Sequence, residues 1–213
     1  MSESSDRSAM DRILDEAVRL FAARGFAGVS MNDLATAAQV SKANIFHHFA
    51  NKDDLYLAAL KHAAADFPKE LAELTRSAPT LAERIRLFVV WHSRRLRERE
   101  PQTRLLLREL FGEGQHGPEI AREIFGDARQ RLLELVASGQ ASGELRADVE
   151  PAVLALTLVA VDVFGFLAAP TLRAIPDMAF GADGCLLAER VSDLILHGAL
   201  VRNLPAETSG VVA

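Results

Sequence analysis

Within the seven residues from Lys42 to His48, the chain sets Lys42, Ala43, Asn44, His47 and His48 around Ile45 and Phe46. A lysine can reach a phosphate or a guanine edge. An asparagine can pair with adenine through two hydrogen bonds, and a small alanine can touch a thymine methyl. On a helix these groups share the side away from Ile45 and Phe49, so one face reads base edges and the other closes a core. His47 and His48 are adjacent, point to different sides and make poor joint metal ligands; plain surface histidines are the alternative reading. Backbone amides at neighbouring helix starts, near Ser30–Asn32 and Lys52, can hold phosphates through free N–H groups. Two short helices joined by a tight turn also occur in helical proteins that never meet nucleic acid, so spacing alone leaves both readings open.

Positioning those groups requires short helices with defined starts. Ser30-x-x-Asp33 is a capping-box pattern that opens a helix to about Ala38. Ser41 caps a second to about Phe49, and Asn51 a third, whose first turn holds Asp53 and Asp54 where the helix dipole favours acids. Upstream, Ile13, Leu14, Ala17, Val18, Leu20 and Phe21 recur at helical spacing over 9–24, and Gly25 suits the left-handed residue past a helix end. Leu34, Ala35, Ala38, Val40, Ile45 and Phe49 can close a small core with that first helix. Pro68 ends or kinks the helix that starts at Asn51. Longer helices are predicted over 80–100, 102–111, 118–138, 150–169 and 182–201, with stops at Pro101, Gly112-Glu113-Gly114 and Gly139. No alternating strand pattern is present. The predicted class is all-α, with about nine helices. An N-terminal helix-turn-helix three-helix domain covers 1–55, a C-terminal helical bundle covers 56–204, and 205–213 form a flexible tail.

The composition is that of a soluble globular chain: 49% hydrophobic and 25% charged over 213 residues. A net charge of −5 excludes wholesale polyanion binding, and residues 1–55 hold six Lys/Arg against eight acids, a net of −2. Any nucleic-acid contact must therefore rest on a few placed groups. The single cysteine, Cys185, excludes an internal disulfide and a multi-cysteine zinc site, which fits a reducing cytoplasm. It reads as a structural residue rather than an oxidant sensor. Met1–Met10 have no apolar core of signal-peptide type. Residues 151–170 match a bilayer span in length, but Asp162 sits near the centre and neither flank is basic. That stretch reads as a helix buried on nearly all sides, one face on its own domain and another on a partner subunit, with no membrane role. There is no paired carboxylate, nucleophile–base constellation or metal-spaced histidine set, and His62, His92, His116 and His197 are scattered singly. The sequence therefore reads as a non-enzyme with no metal and no cofactor.

Residues 10–56 resemble the N-terminal domain of TetR/AcrR-family transcriptional regulators. The resemblance rests on Ile-Leu-x-x-Ala-x-x-Leu-Phe-x-x-x-Gly-Phe from Ile13 to Phe26, Ser30-Met31-x-x-Leu-Ala, and Val-Ser-Lys-x-x-Ile-Phe-x-His-Phe-x-x-Lys-x-x-Leu from Val40 to Leu55. It implies DNA contacts from Ser30, Met31, Thr36, Lys42, Ala43, Asn44, Phe46, His47, His48 and Lys52. Two positions depart from the family pattern. Ala43 replaces a frequent glycine, and Phe46 replaces a common tyrosine, losing a hydroxyl that often bonds a phosphate.

For the C-terminal body, the resemblance implies a ligand pocket and two helices given to a four-helix dimer interface. Candidate pocket residues are Phe88, Trp91, His92, Leu105, Phe125, Arg129, Asp162 and Phe166, with Phe164 beside them; plain core filling is the alternative for each. Asp162 inside an apolar helix must be paired or ligand-facing, and a protein partner is the preferred reading. Arg94, Arg95, Arg97, Arg99, Arg104 and Arg108, interleaved with Glu98, Glu100 and Glu109, read as a solvated, ion-paired face. The expected function is a homodimeric, ligand-responsive, sequence-specific DNA-binding regulator, a repressor released from a palindromic double-stranded operator by a small molecule. The alternative is a helical protein-binding adaptor.

Overall fold

Short polar residues start the helices, as their types dictate. The computed structural model describes residues 8–74, 78–113, 116, 118, 122–123, 125–175 and 184–199; the expected tail at 205–213 lies outside them, as does the Cys185 side chain. α1 (Ala9–Arg24) begins at Ser8, whose hydroxyl oxygen accepts from the Asp11 N–H at 3.1 Å. α2 (Met31–Ala38), α3 (Lys42–His48) and α4 (Lys52–Ala64) begin the same way at Ser30, Ser41 and Asn51, whose side chains accept from Asp33, Asn44 and Asp54. Each such cap is worth about 1 kcal/mol. Gly25 ends α1 with φ 71 and ψ 172. This is the positive-φ extended region reserved for glycine rather than the left-handed helical one.

Both prolines expected to stop a helix instead begin one. The break after α4 falls at Ala65–Asp66, and Pro68 lies in the first turn of α5 (Phe67–Leu74). Pro101 lies in the first turn of α7 (Glu100–Arg108), just after α6 (Leu81–Glu98). A proline there loses no hydrogen bond, because first-turn N–H groups have no helical acceptor. α6 is opened by a reciprocal pair: the Thr80 hydroxyl accepts from the Glu83 N–H, and the Glu83 carboxylate accepts from the Thr80 N–H, both at 3.3 Å. α7 is followed by a kink at Phe111 and Gly112, in which Gly112 takes φ 89.

The expectation that Gly139 ends a helix is corrected. α8 (Gly126–Ala141) runs through it. A Cβ built on Gly139 would lie 2.1 Å from Leu81 Cδ2, so the missing side chain is what lets the two helices touch. The chain turns at Gly143, φ 75. α9 (Pro151–Leu172) and α10 (Cys185–Ala199) complete the order. Every regular element among the described residues is helical.

Two compact units result, Met1–Glu73 with Arg94–Gln130, and Leu74–Ser93 with Arg131–Ala213. In the first, Ile13, Phe21, Leu34, Ile45, Leu55 and Leu60 make the core, and Leu105 of α7 is part of it. In the second, Leu81, Ile85, Phe88, Val136, Leu154 and Leu158 are buried. α9 is covered on the side expected to pack on its own domain. Leu154, Ala155, Leu158, Asp162, Gly165 and Phe166 are buried on it. Leu156 is 69% exposed and Phe164 64%, and Val153 and Leu167 are exposed beside them, as are Leu186 and Leu194 on α10. Within one chain, then, α9 has one covered face and one bare apolar face. By length and composition α9 could cross a membrane, but its central carboxylate, Asp162, is held inside the fold.

Gly139→Ala separates helix propensity from packing. Propensity alone favours alanine by about 1 kcal/mol. The Leu81 contact reverses that, so we expect a loss of about 1–2 kcal/mol, read as a lower midpoint in thermal unfolding; a raised midpoint would show that Leu81 gives way freely.

Candidate nucleic-acid interface

α2 leaves its last turn through Gln39, which has φ 56 and ψ 43, the only positive φ of a non-glycine among the described residues. The Gln39 N–H donates to Thr36 O at 3.3 Å and the Val40 N–H to Ala35 O at 3.0 Å. This paired closure satisfies two carbonyls that a helix end otherwise orphans. Ser41 then caps α3 at once, so only Gln39, Val40 and Ser41 separate the two helices. Leu34, Ala35, Ala38, Ile45 and Phe49 are buried, as the pattern of small and apolar positions requires.

The opposite side of α3 is open. Lys42, Ala43, Phe46, His47 and His48 are exposed, with Ser30 and Thr36 on the flanking helix also exposed and Met31 half-buried. Lys42 Nζ lies 5.9 Å from the Phe46 ring centroid, and the His47 and His48 rings are 5.2 Å apart. Asn44 differs from the expectation of a fully outward group. It is half-buried, and its Oδ1 is enclosed without a hydrogen-bond partner, an acceptor still unsatisfied in the free protein. Lys52 is half-buried, its ammonium 4.2 Å from the Phe26 ring centroid, at the start of α4. α3 is thus an exposed helix flanked by two capped helix starts, an arrangement suited to a DNA groove with a phosphate on either side.

Asp33 ties the start of α2 together. Its Oδ2 accepts from the Ser30 hydroxyl at 2.6 Å and the Ser30 N–H at 2.8 Å, and Arg24 stands 3.9 Å from its other oxygen. The Ser30 hydroxyl bond first, then the backbone bond and the Arg24 charge, hold the carboxyl below the usual aspartate range. A lowered carboxyl stabilises the fold above its unfolded value and ceases to do so as pH falls through the lowered one. The capping box is therefore intact at neutral pH and lost only in acid.

The candidate pocket residues divide between the two units. Phe88, Trp91, His92, Asp162 and Phe166 belong to the second. There His92 stacks on Phe88 at 5.5 Å, Trp91 stands 6.1 Å from Phe88, and His92 Nδ1 is 3.0 Å from Asp162 Oδ2 with both side chains buried. Asp162 thus has the protein partner the sequence called for. Leu105, Phe125 and Arg129 belong to the first unit: Leu105 is core, Phe125 packs against that core, and Arg129 is exposed. Phe164 points away from any interior.

The arginine stripe is solvated only in part. Arg104 pairs with Glu100 at 2.8 Å on the surface, but Arg95 is buried against Glu70 and Phe67. Glu109, assigned to the solvated face, is 0% exposed, and its Oε2 accepts from the Tyr56 hydroxyl at 2.8 Å. Helical spacing from buried Leu105, four residues earlier, was the signal that placed it inside.

Residues 13–59 match the family model described as "Bacterial regulatory proteins, tetR family". The chain is 28% identical over 153 residues to the HTH-type transcriptional repressor NicS of Pseudomonas putida, covering 70% of each chain. Among solved structures it resembles FadR of Bacillus subtilis in complex with stearoyl-CoA, with TM-score 0.72, 19% identity, and coverage of 88% of this chain and 98% of that one. It also resembles a transcriptional regulator of Saccharomonospora viridis in complex with choline, with TM-score 0.69, 25% identity, and coverage of 91% and 98%.

The turn yields a direct test. Gln39 carries a left-handed penalty of about 1–2 kcal/mol that glycine does not. Against the extra chain entropy of glycine, Gln39→Gly should raise stability by about 0.5–1 kcal/mol, whereas β-branched Gln39→Val should lower it. Urea unfolding that ranks valine above glycine would contradict the observed turn.

Proposed function

We propose that this chain, which belongs to the tetR family of bacterial regulatory proteins, represses transcription as a homodimer that grips a two-fold-related operator through its paired α3 helices and releases it on binding a small molecule. A DNA-binding transcriptional regulator is what the family match and the NicS similarity support. The observation that carries the finer reading is the exposed side of α3, where Lys42, Ala43 and Asn44 follow directly on the Ser41 cap. Lys42 and Asn44 are suited to base edges. Lys52 and the amides at the start of α2 are suited to phosphates, which fix register without reading sequence. The net of −2 over residues 1–55 argues for two such units acting together in the cytoplasm, because one has too few cations to bind by charge alone. The bare face of α9 and α10 supports the pairing: a self-complementary apolar patch buries itself most simply against its own copy.

The proposed effector site is the cluster of Phe88, Trp91, His92, Asp162 and Phe166. It combines aromatic and apolar walls with one buried polar couple, the composition of a site for a mostly apolar small molecule carrying one polar group. The stearoyl-CoA and choline complexes support effector binding in bodies of this fold. Release follows if the effector favours a state in which the two α3 helices no longer match the roughly 34–36 Å repeat of adjacent major grooves.

Selection from random-sequence DNA with the full-length protein should recover two-fold-related half-sites, with affinity falling steeply as salt rises. On the selected duplex, the double variant Lys42→Ala/Asn44→Ala should bind at least about tenfold more weakly. Unchanged affinity would assign recognition to some other surface.

A further inference from the structure

We propose that Tyr56 and Glu109 form a buried latch that positions the first turn of α4, and through it the phosphate contact of Lys52; this rests on the DNA-binding reading above. Tyr56 lies four residues after Lys52, on the same side of α4. Its hydroxyl donates to Glu109 Oε2 at 2.8 Å in a fully enclosed bond. The other Glu109 oxygen accepts from the His116 backbone N–H. His116 turns its Nε2 to within 3.2 Å of Asp53 Oδ1, so the residue that closes over Glu109 also touches the first turn of α4.

On its other side Tyr56 is clasped by two rings. Phe21 meets it edge-on at 5.0 Å and Phe26 at 5.1 Å. Phe26 is the ring over which the Lys52 ammonium sits. A continuous set of contacts thus runs from the surface cation through Phe26 and Tyr56 to a carboxylate with no exposure to water. An enclosed carboxylate needs its donors, because losing one strands an acceptor that water cannot reach. A phenylalanine at position 56 would fill the same space but leave Glu109 a donor short. The helix kinks just past Glu109, at Phe111 and Gly112.

The latch predicts that Tyr56, Glu109 and Lys52 act as one unit in DNA binding. The measurement is affinity and its salt dependence on a duplex selected by the full-length protein, with thermal midpoints taken alongside. In the wild type, Lys52→Ala should weaken binding about fivefold and reduce the log–log salt slope by about 1. Tyr56→Phe should do the same without touching DNA. In the Tyr56→Phe background, adding Lys52→Ala should cost less than about twofold and leave the slope unchanged, because the contact is already lost. Glu109→Leu should behave as Tyr56→Phe does; where it lowers folded yield, the tyrosine variant alone decides. If Lys52→Ala keeps its full factor in the Tyr56→Phe background, or if Tyr56→Phe binds like wild type, the latch is overturned and the pair only stabilises the unit. A wild type that selects no DNA would overturn the DNA-binding reading itself, and the latch with it.

Discussion

Leu156, Phe164, Val153 and Leu167 on α9 and Leu186 and Leu194 on α10 leave large apolar side chains in water. Each square ångström of such surface costs about 25 cal/mol relative to burial. On the proposed function, a unit with a net of −2 over its first 55 residues holds DNA through two copies acting at once. The proposed pairing needs a face that two copies can share, and α9 offers one by dividing its residues. Asp162 goes inward to His92, so the outward side of α9 carries no charge.

The reading end obeys a different economy. α3 has only seven residues, too few to be stable alone, and its place is set by neighbours. Ser41 fixes where it starts, Ile45 and Phe49 fix which side faces in, and the left-handed Gln39 fixes the approach from α2. Those constraints leave Lys42, Ala43, His47 and His48 free of structural duty on the outer side. Asn44 stands between the two roles, half-buried with an unpaired oxygen.

Much of this was legible in the sequence because its causes are local. Ser30, Ser41 and Asn51 cap helices through bonds spanning three residues, so type and spacing suffice to place them. Prolines 68 and 101 and Gly139 were misread for the opposite reason. Whether a proline ends one helix or starts the next depends on which side of the break it falls, and whether a glycine stops a helix or admits a neighbour depends on Leu81, 58 residues away. Glu109 reads as surface from its charged neighbours, yet its helical spacing from buried Leu105 points inward, where Tyr56 and His116 supply its donors. The candidate pocket mixed residues of two units because aromatic type carries no information about which core a side chain joins; Leu105 joins the first and Phe88 the second.

The central claim is that the bare face of α9 and α10 makes two weakly charged readers into one binder. It is tested most directly by Leu156→Glu/Phe164→Glu, two changes at exposed positions that leave the fold of a single chain intact. Sedimentation and DNA titration on the same sample give the answer. The expected result is a helical monomer that loses tight binding to a two-half-site duplex while the wild type keeps it. A variant that stays dimeric, or a monomer that binds that duplex as tightly as wild type, would contradict it.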